Sequence, residues 1–210
     1  MRTSASRGLT ALMAAVLLAT ILGTASARNF SISNQNFRVT WSRLELDSEL
    51  ESFTIRCQVT LEGSFAGRTF PKVRGTLIGA ITRAAFKTES CTGGQVSARA
   101  VPWHLTYEAF QGLLPNAIAI RLLIARYLIS VRFLERTCTY GTATDNLGFS
   151  ASVNASRELT ELRPMQGRDT SHLLEGPFGC RLDRRIAGAG GDGVIRLLNA
   201  STTRITLTLI

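Results

Sequence analysis

Phe53-Thr-Ile-Arg-Cys-Gln-Val-Thr-Leu-Glu62 is the stretch that decides the fold. Phe53, Ile55, Cys57, Val59 and Leu61 take one face, and Thr54, Arg56, Gln58, Thr60 and Glu62 take the other. A period of two is the pleat of a β-strand, whose successive side chains point to opposite faces. An apolar face against a polar one marks a half-buried antiparallel strand. Cys57 falls on the buried face.

The pattern extends outward from there. Gly63 to Gly67 reads as a turn, Lys72 to Phe86 as a second long strand, and Cys91-Thr-Gly-Gly94 as another turn. Val101, Trp103, Leu105 and Tyr107 alternate inward. From Ile118 the inward set is Ile118, Ile120, Leu122 and Ile124, and it then switches to Tyr127, Ile129, Val131 and Phe133. A one-residue slip swaps the faces of a strand, so a change of parity at Ala125–Arg126 demands a bulge or a tight turn. A similar switch lies between Trp41 and Leu44.

Weaker strands are expected at 149–153 and 170–174, a flexible hairpin connection at Gly188 to Gly193, and a last strand pair at 194–198 and 204–210. Only Arg157 to Arg163 reads as a helical turn, capped by Ser156. The expectation is an all-β fold, an antiparallel β-sandwich or barrel-like domain.

Four cysteines, Cys57, Cys91, Cys138 and Cys180, allow three connectivities. The similar gaps of 34 and 42 residues favour Cys57–Cys91 with Cys138–Cys180. A zinc site wants close pairs such as C-x-x-C, and none exists.

The N-terminus sets the compartment in which those cysteines fold. Arg2 and Arg7 form a charged start, an apolar stretch runs from Leu9 to Leu22, and Ala25-Ser-Ala27 supplies a small-x-small cleavage pattern. Residues 1–27 therefore read as a secretory signal peptide, and residues 28–210 as an exported β-rich domain with room for two β subdomains divided near 138–148. An oxidising location suits disulfides and is poor in ATP and nicotinamide cofactors. The expectation is a secreted, extracellular or cell-envelope protein with no cofactor and no bound metal. The later apolar run from Ala117 to Leu134 is interrupted by Arg121, Arg126 and Arg132. Each costs roughly 2.5–3.5 kcal/mol near the centre of a spanning helix, so no further membrane anchor is expected.

The formal charge is +9, and all but Lys72 and Lys87 of the 24 basic residues are arginine. An Arg-rich, Lys-poor balance fits a high-GC bacterial genome as well as a basic binding face. The tightest basic group is Arg181, Arg184 and Arg185, just after Cys180. Such a charge draws an exported protein to anionic cell-envelope polymers or to another envelope protein. No aromatic-plus-basic module for specific nucleic-acid binding is visible.

Catalytic motifs fail on inspection. Gly188-Ala-Gly-Gly-Asp-Gly193 spells a dinucleotide fingerprint, but no helix follows it. Gly148-Phe-Ser-Ala-Ser152 lacks the last glycine of a nucleophile elbow. His104 and Glu108 share the outward face of one strand and are the best candidates for an acid–base pair. Four residues of strand rise put them about 13 Å apart, too far for direct proton transfer. Asp47, Glu49 and Glu51 read as a solvated loop. Trp41, Trp103 and Tyr140 are a sugar-stacking platform only if exposed, and they read as core. Asn29, Asn154 and Asn199 open glycosylation sequons, a signal with little meaning in a bacterium.

Several segments together resemble uncharacterised exported β-rich proteins of high-GC bacteria. They are Lys72-Val-Arg-Gly-Thr-Leu-Ile-Gly79, Cys91-Thr-Gly-Gly94, Pro102-Trp-His-Leu-Thr-Tyr-Glu-Ala-Phe110, Gly112-Leu-Leu-Pro-Asn116 and Thr203-Arg-Ile-Thr-Leu-Thr-Leu-Ile210. The resemblance implies export and β architecture and supplies no catalytic residue. The functional expectation is a non-enzymatic binding or structural module of the envelope, with His104, Glu108, Arg181, Arg184 and Arg185 as surface-binding candidates. The alternatives are a secreted hydrolase assembled around His104 and Glu108, and a membrane β-barrel.

Overall fold

The computed structural model describes residues 29–48, 54–133, 135–141, 146–165, 170–177, 180, 185–198 and 204–210. These residues form strands and turns, with no helix among them. The expected leader over residues 1–27 lies outside them, as do Phe53, Glu49 and Glu51. The first strands are β1 (Asn29–Ile32), β2 (Asn36–Ser48), β3 (Thr54–Phe65), β4 (Thr69–Pro71) and β5 (Leu77–Thr92). Then come β6 (Gln95–Arg99), β7 (Trp103–Leu113), β8 (Asn116–Ala125), β9 (Leu128–Phe133), β10 (Arg136–Gly141) and β11 (Leu147–Val153). The last are β12 (Glu158–Pro164), β13 (Thr170–Glu175), β14 (Arg185–Gly190), β15 (Gly193–Leu197) and β16 (Ile205–Leu209).

Eight strands close into an antiparallel barrel. Around the ring β2 pairs β3, then follow β5, β7, β8, β11, β12 and β15, and β15 returns to β2. The inward positions read from the alternation fill it: Val59, Leu61, Trp103, Leu105, Ile120 and Ile124 are all buried. Two voids of about 30 and 50 Å³ remain inside, lined almost entirely by apolar side chains. An eight-stranded barrel is just wide enough for side chains to fill it, and this one is filled.

Two groups of outer strands extend the barrel. On one side β16 continues the edge of β12, and β1 and β4 follow. On the other, β14 continues from β2 and leads through β13, β10 and β9 to β6. The second group has its own apolar face, where Val96, Ile129, Val131, Cys138 and Tyr140 are buried.

The parity switches are bulges or turns, as expected. Between Trp41 and Leu44, β2 carries one extra residue against β3, so two apolar side chains three positions apart both face inward. At Ala125–Arg126 the chain leaves the barrel for the outer group through Arg126, whose φ is 56°.

Both disulfides form in the favoured pairing, Cys57–Cys91 and Cys138–Cys180. Between Arg56↔Thr92 and Gln58↔Lys87, β5 makes an excursion over residues 88–91 that β3 does not match. Ser90 Oγ accepts from the Gln58 amide at 3.0 Å and donates to the Lys87 carbonyl at 2.6 Å. Cys91 then ties the excursion to Cys57. The other bridge fixes Cys180 to β10. Two disulfides are compatible with an extracellular protein, and no helix among the described residues is long and apolar enough to cross a membrane.

Several expected boundaries are corrected. Gly63 is inside β3 and not in a turn, because a Cβ there would strike the Ala80 carbonyl and the Phe37 ring. The second long strand starts at Leu77 and not Lys72, since the loop before it bonds sideways to Tyr107 through the Gly75 amide and the Thr76 carbonyl. Val101 and Ile118 point outward, 41% and 61% exposed. Arg157 to Arg163 is no helical turn: Glu158–Pro164 is strand β12, with one extra residue opposite Ser152. Asp47 lies in β2 opposite Thr54 and not in a loop.

Gly188 to Gly193 is not a hairpin either. β14 and β15 both pair antiparallel with β2, so the two glycines after Gly190 kink one continuing path over the β2 bulge. A side chain at Gly191, whose φ is 103°, would meet the Arg43 carbonyl, and one at Gly193 would meet the Trp41 indole. β15 and β16 do not pair with each other; they follow one another along the same edge of β12, β15 meeting it at Leu162 and β16 at Leu159.

Candidate functional site

The structure does not bring His104 and Glu108 together. His104 is half-buried on β7, between Ala80 of β5 and Ala125 of β8. Glu108 is the extra residue of a bulge between Tyr107↔Leu122 and Ala109↔Arg121, which turns it inward to 6% exposure. Its Oε1 lies 3.7 Å from Arg74 Nη2. The shared outward face expected for these two residues is therefore corrected, and Glu108 is not a surface group. His172 sits far along the chain on β13, opposite Gly141. No group of three or more His, Cys, Asp or Glu among the described residues has the arrangement of a metal site.

Trp41, Trp103 and Tyr140 are core side chains at 0%, 3% and 0% exposure, so they offer no stacking platform. Arg181 and Arg184 lie outside the described residues. The backbone of Arg185 pairs with that of His172.

On β2, β3 and β5 the barrel-wall charges are neutralised in register. Arg38 faces Glu62 across β2 and β3, and Glu62 faces Arg83 across β3 and β5. The ion pairs measure 2.7 and 3.5 Å. Further along the same two strands, beyond the β2 bulge, Glu45 receives Arg56 Nε at 2.8 Å and Arg43 at 3.1 Å. The Arg56 hydrogen bond, helped by the charges of Arg56 and Arg43, holds the Glu45 carboxyl below its usual range. Arg163 pairs with Glu161 and Asp192. Apolar inside and charged outside is the reverse of a membrane barrel, whose band of lipid-facing residues is apolar.

The outer strand group is different. Alternation puts Val96, Ile129, Val131 and Cys138 on its buried face and leaves a polar outer face built in rows. One row is Gln95, Arg132 and Thr137; the next is Ser97, Ser130 and Thr139, the last of them buried under the neighbouring β13. Arg99 Nη1 donates to Ser130 Oγ at 3.5 Å, and Ser130 and Thr139 hydroxyls lie 3.5 Å apart. Arg99, Thr137, Thr139 and Glu175 line a hollow of about 380 Å³, closed at one side by Gly176 and Pro177. Arg99 and Arg132 form no ion pair with a carboxylate among the described residues.

This face was not found from the sequence. Gln95-Val-Ser-Ala-Arg99 alternates polar with apolar, which signals a half-buried strand. The missing piece is the pairing of β6 with β9, which joins Arg99 to Leu128 across 29 positions and follows from no local pattern. Chemically, the face offers guanidinium donors for an acidic group, hydroxyls that both donate and accept, and one carboxylate acceptor. That set suits a hydroxyl-rich anion. Compared with family models, with curated proteins and with solved structures, the chain matches none.

Proposed function

We propose that this is a non-enzymatic, exported β-module that acts at the cell envelope by binding anionic, hydroxyl-rich polymers on the outer face of β6, β9 and β10. The observation that carries this reading is a difference in charge pairing between two faces. On β2, β3 and β5, Arg38, Arg56 and Arg83 are matched to carboxylates in register, whereas Arg99 and Arg132 stand among hydroxyls instead. A guanidinium without a carboxylate partner keeps its fork of donors for a ligand carboxylate or phosphate. Wall polymers rich in phosphate or uronate have that chemistry. The leader-like N-terminus supplies the expectation of export, and the two disulfides are compatible with it.

Sedimentation with purified cell walls, and retention on dextran sulfate against neutral dextran, tests the reading at low salt. Binding to both anionic materials, released as ionic strength shortens the Debye length below about 10 Å, supports it. Equal retention on neutral dextran, or none on either anionic material, overturns it.

A further inference from the structure

Two charges of opposite sign share the hollow of the outer strand group without neutralising each other. Arg99 and Glu175 both line it, and of the ion pairs among the described residues none joins them. Hydroxyls stand between. Ser97, Ser130, Thr139 and Glu175 lie opposite one another in turn across β6, β9, β10 and β13, so a single row ends on a carboxylate. The Arg99 guanidinium reaches into that row at Ser130 Oγ. Two strand spacings separate Ser130 from Glu175, which is about 10 Å at the backbone.

A bulge aims Glu175 into the row. Leu173 lies opposite Tyr140, and both belong to the inward side, Tyr140 in the core and Leu173 packed against it. A regular strand alternates its side chains, so Glu175, two residues on, would point inward too. The register shifts between Thr139 and Tyr140, which makes Leu174 the extra residue and turns Glu175 to the outer face opposite Thr139. Bulges of this kind re-aim a side chain beside a functional site. The backbone that carries Glu175 is fixed as well. The Cys180 amide donates to the Pro177 carbonyl at 2.9 Å, and Cys180 is bridged to Cys138 of β10. A Cβ on Gly176 would overlap the Cys180 sulfur, so this wall of the hollow lies flat against the disulfide.

A carboxylate is out of place in a site that takes negative charge alone. An ionised carboxylate is an acceptor only, so it repels a sulfate and rewards a hydroxyl that donates to it. A built-in repulsive group is one way a site rejects close relatives of its ligand. We propose, resting on the reading of this face as a polymer site, that Glu175 makes the hollow selective for acidic sugars with free hydroxyls, the uronates, over sulfated chains. Arg99 takes the sugar carboxylate, and Glu175 accepts from a hydroxyl further along the chain. A neutral sugar leaves Arg99 unmatched, and a heavily sulfated one leaves Glu175 facing negative charge.

Affinities for polygalacturonate and for dextran sulfate at low salt, measured for the unmodified protein, Glu175→Ala and Glu161→Ala, test this selectivity. Glu161 sits on the barrel wall beside Arg163, so its removal takes away the same charge elsewhere. Glu175→Ala is expected to bind polygalacturonate about tenfold more weakly, the size of one hydrogen bond to a charged group. The same variant is expected to bind dextran sulfate about twofold or more tightly, as a like charge is removed. Glu161→Ala should move both affinities by less than about twofold. Tighter binding of Glu175→Ala to both polymers means that Glu175 acts through net charge alone and overturns the proposal, as does no change on either. Weaker binding to both means that Glu175 only shapes the hollow, and overturns it too. In each of these cases the unmodified protein still binds and the polymer-binding reading stands. If the unmodified protein binds neither polymer, that reading fails and the selectivity fails with it.

Discussion

The indole of Trp41 packs against the backbone of Gly193 at the point where β14 and β15 pass from the outer strand group into the barrel. Trp41 is fully buried, and a Cβ on Gly193 would overlap its ring. Gly193 is there because backbone must lie flat on an aromatic face. Gly193→Ala is expected to destabilise the protein by about 1–3 kcal/mol through overpacking. Urea unfolding followed by tryptophan fluorescence checks this; a change within 0.5 kcal/mol, the size of an ordinary surface substitution, contradicts it.

Both bridges close long loops, and each is worth about 4 kcal/mol on the chain-entropy account. Replacing Cys57 and Cys91 together should lower the unfolding free energy by that order, and so should replacing Cys138 and Cys180. Against a typical total of about 5–15 kcal/mol, reducing both should leave the chain close to unfolding. Denaturant midpoints with and without reductant measure the effect.

Tyr107 sets a limit on the alkaline side. Its burial beside Phe30 and Phe70 raises the phenol above its ordinary value of 10.0. A raised folded-state value means that its stabilising contribution is complete below about pH 10 and is lost as pH climbs through the raised value. Stability should therefore fall above pH 10, and Tyr107→Phe should flatten that fall. Thermal unfolding from pH 8 to 11 compares the two.

The ion pairs of the barrel wall should matter little to stability. Arg38 and Arg83 are largely exposed, and pairs of that kind are typically worth about 0–1 kcal/mol. Glu62→Gln should accordingly shift the urea midpoint only slightly, and a loss of several kcal/mol would show that the network is structural.

Strands and sulphur pairing were legible because both follow local rules: alternation for the strands of the core, and similar cysteine gaps for the bridges. The errors cluster at bulges. One extra residue in β12 sets Leu159 and Leu162 three apart on the same buried face, a spacing that in sequence imitates a helix. One extra residue in β7 turns Glu108 inward, when a regular strand would have kept it beside His104 outside. The polar face of β6, β9 and β10 was not legible, since it depends on which strand neighbours β6. The kink at Gly191–Gly193 was misread as a turn for a related reason: its glycines answer to Trp41 and Arg43, well over a hundred positions earlier.

The central claim is that Arg99 and Arg132 are kept for a ligand and the wall arginines are not. Titration of dextran sulfate into Arg99→Ala/Arg132→Ala and into Arg38→Ala/Arg83→Ala at low salt tests it directly. The account predicts that the first pair of substitutions abolishes most of the binding and shallows its salt dependence, whereas the second leaves affinity near that of the unmodified protein. Equal losses in the two variants would show that binding follows net charge alone, and would contradict it.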